Sequence, residues 1–174
     1  MTIYREADTM KRKAFLRLRE RYKRRGKTFV YVDESGFTPY AFRRRGYAPK
    51  GQRVYGLAPG RTRPNTSLIA ANIDGKFEEP FLFPGACNAE IFNDWLMRQL
   101  CPRLTPNHVV VFDNVPFHKG ERTRRIINDT GAILLPLPPY SPDLNPIEQD
   151  FGSIKKIREY NHQKSIDCII ADYQ

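Results

Sequence analysis

Three acidic residues stand where their side chains can do chemistry. Asp33 lies at the end of an apolar, β-branched run, TFVYVDE at residues 28–34. Asp113 lies at the end of a second run, HVVVFDN at residues 108–114. Glu148 follows Asn145-Pro146 at the start of a helical pattern. Ligands of open α/β sheets bind outside the carboxyl ends of the strands. If the two runs are neighbouring parallel strands, Asp33 and Asp113 meet at one sheet edge. Glu148, on the first turn of the helix after the next strand, can face the same point. Three converging carboxylates cannot all stay ionised without a cation. An all-oxygen donor set suits a hard ion such as Mg²⁺ or Mn²⁺. Two such ions, about 3.5–4 Å apart, clamp the attacking and leaving oxygens of an in-line phosphoryl displacement.

Each acid also has a plainer reading. Asp33-Glu34 suits a strand end before Ser35-Gly36. Asp113-Asn114 suits an Asx turn. Asn145-Pro146-Ile147-Glu148 suits a capping box, with Asn145 as N-cap, Pro146 at N1 and Glu148 at N3. The two readings of Glu148 coexist, because the positive end of a helix favours an ionised carboxylate. The three acids taken together, beside strongly basic segments, favour the metal-binding reading.

The elements that must position these residues follow from periodicity. Residues 6–24 read as an amphipathic helix with Ala7, Met10, Ala14, Leu18 and Tyr22 on its apolar stripe, ended by Gly26. Residues 28–34 read as a strand with Phe29, Tyr31 and Asp33 on one face and Val30, Val32 and Glu34 on the other, broken by Ser35-Gly36. Residues 37–52 form a basic loop, and short strands follow at about 53–58, 66–73 and 76–83. Asp74-Gly75 is a strong hairpin signal between the last two. The first half is thus an antiparallel meander. A helix over 88–100 is capped by Asn88, with Ile91, Trp95, Leu96 and Leu100 on one stripe. Residues 108–114 read as a strand buried on both faces, 119–130 as a helix ending at Gly131, and 132–137 as another buried strand. A rigid loop, PPYSPDLNP, leads to a last long helix starting near Pro146. This order predicts a mixed α/β sheet with helices on its faces.

Charge narrows the function. The chain has 174 residues with 29 Lys and Arg against 19 Asp and Glu, a net charge of +10. Residues 1–27 carry a net +8 and residues 43–63 a net +7, while the remainder carries −5. Two basic segments beside an acidic body are the footprint of a polyanion-binding protein, most often one that binds nucleic acid. The helix at 6–24 is then either a linker lying on the body or a phosphate-contacting helix. The three cysteines are an odd number with no CxxC, against a disulfide framework or a zinc ribbon. No apolar run approaches the roughly 18 residues of a membrane span, and no signal-peptide core opens the chain. The expectation is a protein of a reducing compartment with no membrane partner.

VYVDESGF, VVVFDNVPFHKG and LLPLPPYSPDLNPIEQDFGSIKK resemble the catalytic domain of mariner-type transposases, specifically the bacterial insertion-sequence 630 family. The blocks occur in family order over about residues 28–160, with 34 residues between Asp113 and Glu148. The resemblance implies a ribonuclease-H-like fold: a mixed five-stranded sheet, antiparallel meander plus two parallel strands, flanked by helices. It implies a basic linker helix at 1–27 and a catalytic domain at 28–174 with a basic insertion at about 37–63. It makes Asp33, Asp113 and Glu148 the catalytic triad, holding two divalent ions, Mg²⁺ or Mn²⁺. The insertion falls where the family contacts DNA, which assigns Arg43, Arg44, Arg45, Lys50, Arg53, Arg61 and Arg63 to DNA binding. Asn114 and His118 match the family's DNxxxH pattern and are read as groups behind the metal ligands or against DNA. The plain alternative for His118 is a helix N-cap or first-turn residue.

The resemblance further implies cleavage of duplex DNA at transposon ends and strand transfer into a target, at TA as in the family. It implies a homodimer on DNA and action in the bacterial cytoplasm at the nucleoid. Phe151 stands where family members usually carry Trp, and Gly152 falls inside the second helical turn. The family's N-terminal helix-turn-helix is not in this sequence, which fits the downstream half of a split reading frame. Two other readings compete. One is a decayed transposase that only binds DNA, disfavoured because all three carboxylates are retained. The other is a nuclease of the same fold acting on RNA–DNA hybrids or junctions, disfavoured by PPYSPDLNP.

Overall fold

A computed structural model of the chain describes residues 4–38, 47–53, 55, 65–113, 120–161 and 163–173. Its centre is a five-stranded sheet in the order β3-β2-β1-β4-β5. The strands are β1 (Thr28–Phe37), β2 (Thr66–Ile73), β3 (Lys76–Pro84), β4 (His108–Val111) and β5 (Ile133–Leu134). β1, β2 and β3 pair antiparallel, while β1, β4 and β5 pair parallel. The helices are α1 (Thr9–Arg24), α2 (Ala89–Trp95), α3 (Glu121–Asp129), α4 (Ile147–Tyr160) and α5 (Ile166–Tyr173). This is the mixed sheet and helix order that the sequence predicts.

The two-residue period of the strands divides the core. On one face Val30, Val32, Ile69, Ala71, Val110 and Phe112 pack with Phe92, Trp95, Leu96 and Leu100 of the α2 segment and Ile127 of α3. On the other face Phe29, Tyr31, Val109 and Val111 pack with Phe15 of α1, and Phe37, Leu68 and Ala70 pack with Ile147, Phe151, Ile154 and Ile169 of α4 and α5. Both faces of the sheet are covered, so β1, β2 and β4 are apolar almost throughout.

Several expected boundaries move. β1 does not break at Ser35-Gly36. It runs to Phe37, because Ser35 and Gly36 pair with Leu68 and Ser67 of β2. Cross-strand pairing outweighs the turn preference of Ser-Gly. The Asp74-Gly75 turn forms as expected, with both residues at positive φ, 52° and 80°. The helix over 88–100 starts at the Asn88 cap, whose side chain accepts from Glu90 N and Ile91 N. It is α-helical only to Trp95 and continues as a π-helical turn, Leu96–Leu100. Pro102 cannot donate to the Arg98 carbonyl, and the wider turn keeps both Leu96 and Leu100 fully buried. β5 is short because Pro136 lacks an N–H, although Leu135 N and Leu137 N still donate to Val110 O and Phe112 O at 2.9 Å. Gly131 ends α3 at φ +76°, and a Cβ there would lie 2.9 Å from Pro106 Cγ. The segment after α4 forms a separate helix, α5, that the sequence reading does not divide off.

α1 is rotated from its expected face. Met10 is 73% exposed and Leu18 lies at the surface, whereas Arg12 and Phe15 are buried and Leu16 and Tyr22 pack against the sheet cluster. The inward stripe is Arg12, Phe15, Leu16, Arg19 and Tyr22, at helical spacing. Two arginines on it disguised it as a solvent face. Arg12 is inward because it meets a carboxylate: its guanidinium forms a two-pronged pair with Asp143, at 2.8 and 2.6 Å. The strand expected at 53–58 lies outside the described residues apart from Arg53 and Tyr55, which belong to no strand.

Candidate active site

Strand parity and parallel register bring two acids together. Tyr31 of β1 pairs with Val111 of β4 in parallel. Two residues further along the chain lie Asp33, still within β1, and Asp113, two residues past the end of β4. Each has the parity of the residues facing α1 and α4: Phe29 and Tyr31 for Asp33, Val109 and Val111 for Asp113. α4 crosses that same face, with Ile147, Phe151 and Ile154 in its core, and Glu148 sits exposed on its first turn. The three acids thus share the face that α4 crosses, but the expected strand end does not hold for Asp33: it sits inside β1, four residues before Phe37, because β2 pairing carries the strand on.

Electrostatics report their proximity. Burial pushes the Asp33 carboxyl up to about 7. The Glu34 N–H, which Asp33 Oδ1 accepts at 2.8 Å, opposes the rise, and the charges of Glu34, Glu148 and Asp113 add to it. Among the described residues no group of three or more His, Cys, Asp or Glu side chains is drawn into a ready metal-ligand set. The acids are close enough to repel but are not arranged as a closed ligand cage.

The expected capping box does not form. Asn145 N donates to Pro142 O at 2.9 Å, and Glu148 N meets the Asn145 backbone carbonyl at 3.3 Å. The Asn145 side chain turns away from the helix and donates from Nδ2 to Asp33 Oδ2, at 2.9 Å. Asn145 is only 2% exposed, and its Oδ1 is buried without a hydrogen-bond partner. Sequence reasoning missed this contact. The Asn-Pro pair at a helix start carries a capping signal, and nothing local announces a partner 112 residues away.

A further acid on α4 is structural. Asp150 accepts from Asn72 Nδ2 at 2.8 Å and from Tyr173 OH at 2.9 Å, joining α4 to β2 and α5. A Cβ added at Gly152 would meet nothing within 4 Å, so packing does not demand glycine there. Phe151 is 1% exposed and packs edge-on against Phe77, filling the aromatic position in the core.

Of the residues assigned to DNA, Lys50 and Arg53 are exposed. Arg43, Arg44, Arg45, Arg61 and Arg63, together with Asn114 and His118, lie outside the described residues. Among the described residues no helix is long and apolar enough to cross a membrane.

Known proteins match this architecture. The Mos1 transposase paired-end complex with left transposon end matches with a TM-score of 0.69 at 23% identity, over 91% of this chain and 52% of that one. The Mos1 strand transfer complex matches with a TM-score of 0.71 at 23% identity, over 90% and 50%. The Mos1 mariner paired-end complex with Mn matches with a TM-score of 0.65 at 21% identity, over 97% and 60%. The chain therefore spans about half the length of the first two of these transposases, and at such identities the likeness speaks for the fold. No curated protein matches it. The family model described as DDE superfamily endonuclease matches residues 28–169, from the first residue of β1 into α5. With so much of its length inside that match, this chain belongs to the DDE superfamily endonuclease family.

Proposed function

We propose that the chain is the catalytic part of a DNA transposase. It cuts duplex DNA at transposon ends and joins the freed 3′-hydroxyl to target DNA. The observation that carries this reading is that Asp33 of β1, Asp113 just past the parallel β4 and Glu148 of α4 share the face that α4 covers, with Glu148 and Asp113 near enough to act on the Asp33 carboxyl by charge. Family membership supplies the class of reaction, and the Mos1 complexes with transposon DNA support the substrate.

The donor chemistry fits a hard divalent ion. Three carboxylates supply oxygen only, the Asp33 carboxyl is held high by burial and by the charges of neighbouring carboxylates, and a buried, unpaired Asn145 Oδ1 lies beside it. Asp33, Asp113 and Glu148 would hold Mg²⁺ or Mn²⁺, and Mos1 complexes with Mg and with Mn support that choice. When bound, two such ions supply activation of the attacking oxygen and neutralisation of charge on the departing one. This chain's own residues do the rest. β1 and β4 fix the spacing of two acids, α4 brings the third, and the basic segments hold the phosphate backbone against them. Asn114 and His118 are assigned to support of the ligands or of DNA. TA as the target, a homodimer on DNA, a helix-turn-helix half supplied upstream and a site of action at the bacterial nucleoid complete the reading. So does the division into a linker helix at residues 1–27 and a catalytic domain from 28 onward.

Glu148→Gln is the decisive experiment. Glu148 is exposed and closes no capping box, so the circular dichroism spectrum should match the parent. Gln is neutral and binds a hard cation weakly. Mg²⁺- or Mn²⁺-dependent nicking of a duplex carrying the transposon end should fall by at least about 100-fold, the scale of losing a main electrostatic contribution. Nicking at the parent rate would remove Glu148 from the site and leave a DNA-binding protein as the better reading.

A further inference from the structure

Asn145 is a poor choice for stability alone. It is almost wholly buried, one end of its amide is bonded, and the other end is orphaned. A structural cap would have turned its side chain to the free N–H groups at the start of α4. Instead Nδ2 crosses to Asp33 Oδ2. The opposite amide orientation would set two oxygens against each other, so the donor end belongs on the carboxylate.

The backbone that carries Asn145 is braced on both sides. On its N-terminal side the turn Pro142–Leu144 buries Leu144, and Asp143 on that turn is gripped by Arg12 of α1. On its C-terminal side α4 begins directly, with Ile147 fully buried. Asp33 is meanwhile bonded through Oδ1 to the Glu34 N–H. One carboxylate oxygen is fixed from its own strand and the other from the turn that leads into the helix carrying Glu148. The rotation of the carboxylate is thus set by two hydrogen bonds from two elements.

We propose that Asn145 is a positioning residue, which orients the Asp33 carboxylate and ties it to the helix bearing Glu148 so that both acids present to one divalent ion. This rests on the reading of Asp33 as a metal ligand. Partners that orient a metal ligand are typically worth 10–100-fold in metal affinity.

The test is Mn²⁺ binding to the intact chain without DNA, followed by loss of the free-ion electron paramagnetic resonance signal. The parent should bind, and Asp33→Asn should not. Asn145→Leu keeps the branched shape and the number of heavy atoms and removes the donor, so its affinity should fall about 10–100-fold. Asn145→His offers a ring N–H at similar reach and should recover most of that loss. If Asn145→Leu does not fold, Asn145→Ser replaces it, since a serine hydroxyl is too short to span to Asp33. Ile154→Val, a core change remote from the acids, controls for stability: its melting temperature should drop with no change in Mn²⁺ affinity. Parent-like affinity in the Leu or Ser variant overturns the positioning role while leaving the metal site intact. Failure of the parent itself to bind Mn²⁺ overturns the metal reading, and the positioning role with it.

Discussion

Asp33 carries the tension of the site. Its carboxyl is held near 7 against an ordinary value of 3.8, first by burial and then by the charges of Glu34, Glu148 and Asp113. A raised carboxyl binds its proton more tightly in the folded chain than in the unfolded one. Its contribution to stability is full below about pH 4 and is lost as pH rises through about 7. In chelator, the urea stability of the parent should therefore fall relative to Asp33→Asn between those limits. By neutral pH the variant should be the more stable by a few kcal/mol, an upper bound set by about 1.4 kcal/mol per unit. Saturating Mg²⁺ or Mn²⁺ should restore the parent and leave the variant unmoved. A parent curve parallel to that of Asp33→Asn across this range would mean that the carboxylate is relieved within the protein.

At the level of elements, the site depends on contacts between pieces that are remote in sequence. α4 is placed by its apolar stripe, but the turn before it is placed by α1, through Arg12 and Asp143. The Arg12 guanidinium holds the Asp143 carboxyl below the usual carboxylate range, through paired hydrogen bonds and its charge. Removing one partner leaves the other covered and unpaired. Asp143→Ala should cost about 2–3 kcal/mol in urea denaturation, less than a deeply buried pair because solvent is near. Arg12→Met combined with Asp143→Leu should recover most of it, since an apolar pair needs no compensation. A loss in the double variant equal to the sum of those from Arg12→Met and Asp143→Leu alone would show that the two residues contribute independently.

The whole molecule separates charge from chemistry. Net +15 resides in residues 1–27 and 43–63, and the rest of the chain is acidic. α1 takes its basic segment onto the surface of the catalytic body by turning Phe15 inward, which leaves Lys13, Arg17, Arg21, Lys23 and Arg24 exposed. The linker and phosphate-contacting readings of this helix are therefore compatible. Binding to duplex DNA should weaken steeply with salt, each neutralised phosphate adding about −0.9 to the slope of log K against log salt. Replacing Arg43, Arg44 and Arg45 together by Ala should flatten the slope by up to about 3 if each meets a phosphate. An unchanged slope would assign the electrostatics to α1 instead.

Local pattern was enough for much of this. β2 and the Asp74-Gly75 hairpin, the Asn88 cap, and the shared faces of β1 all follow from neighbours a few residues apart. So does Asp113, just past the end of β4; Asp33 does not sit at a strand end, because pairing with β2 carries β1 four residues beyond it to Phe37. What local pattern misread was settled by partners far away. Ser35-Gly36 reads as a break until β2 pairs with it. Arg12 reads as solvent-facing until Asp143, 131 residues later, neutralises it and rolls α1 onto a different face. Asn145 reads as a helix cap until Asp33 competes for its amide. In each case a polar group chose between water, its own backbone and a distant partner, and only the folded chain brings that partner within hydrogen-bonding reach.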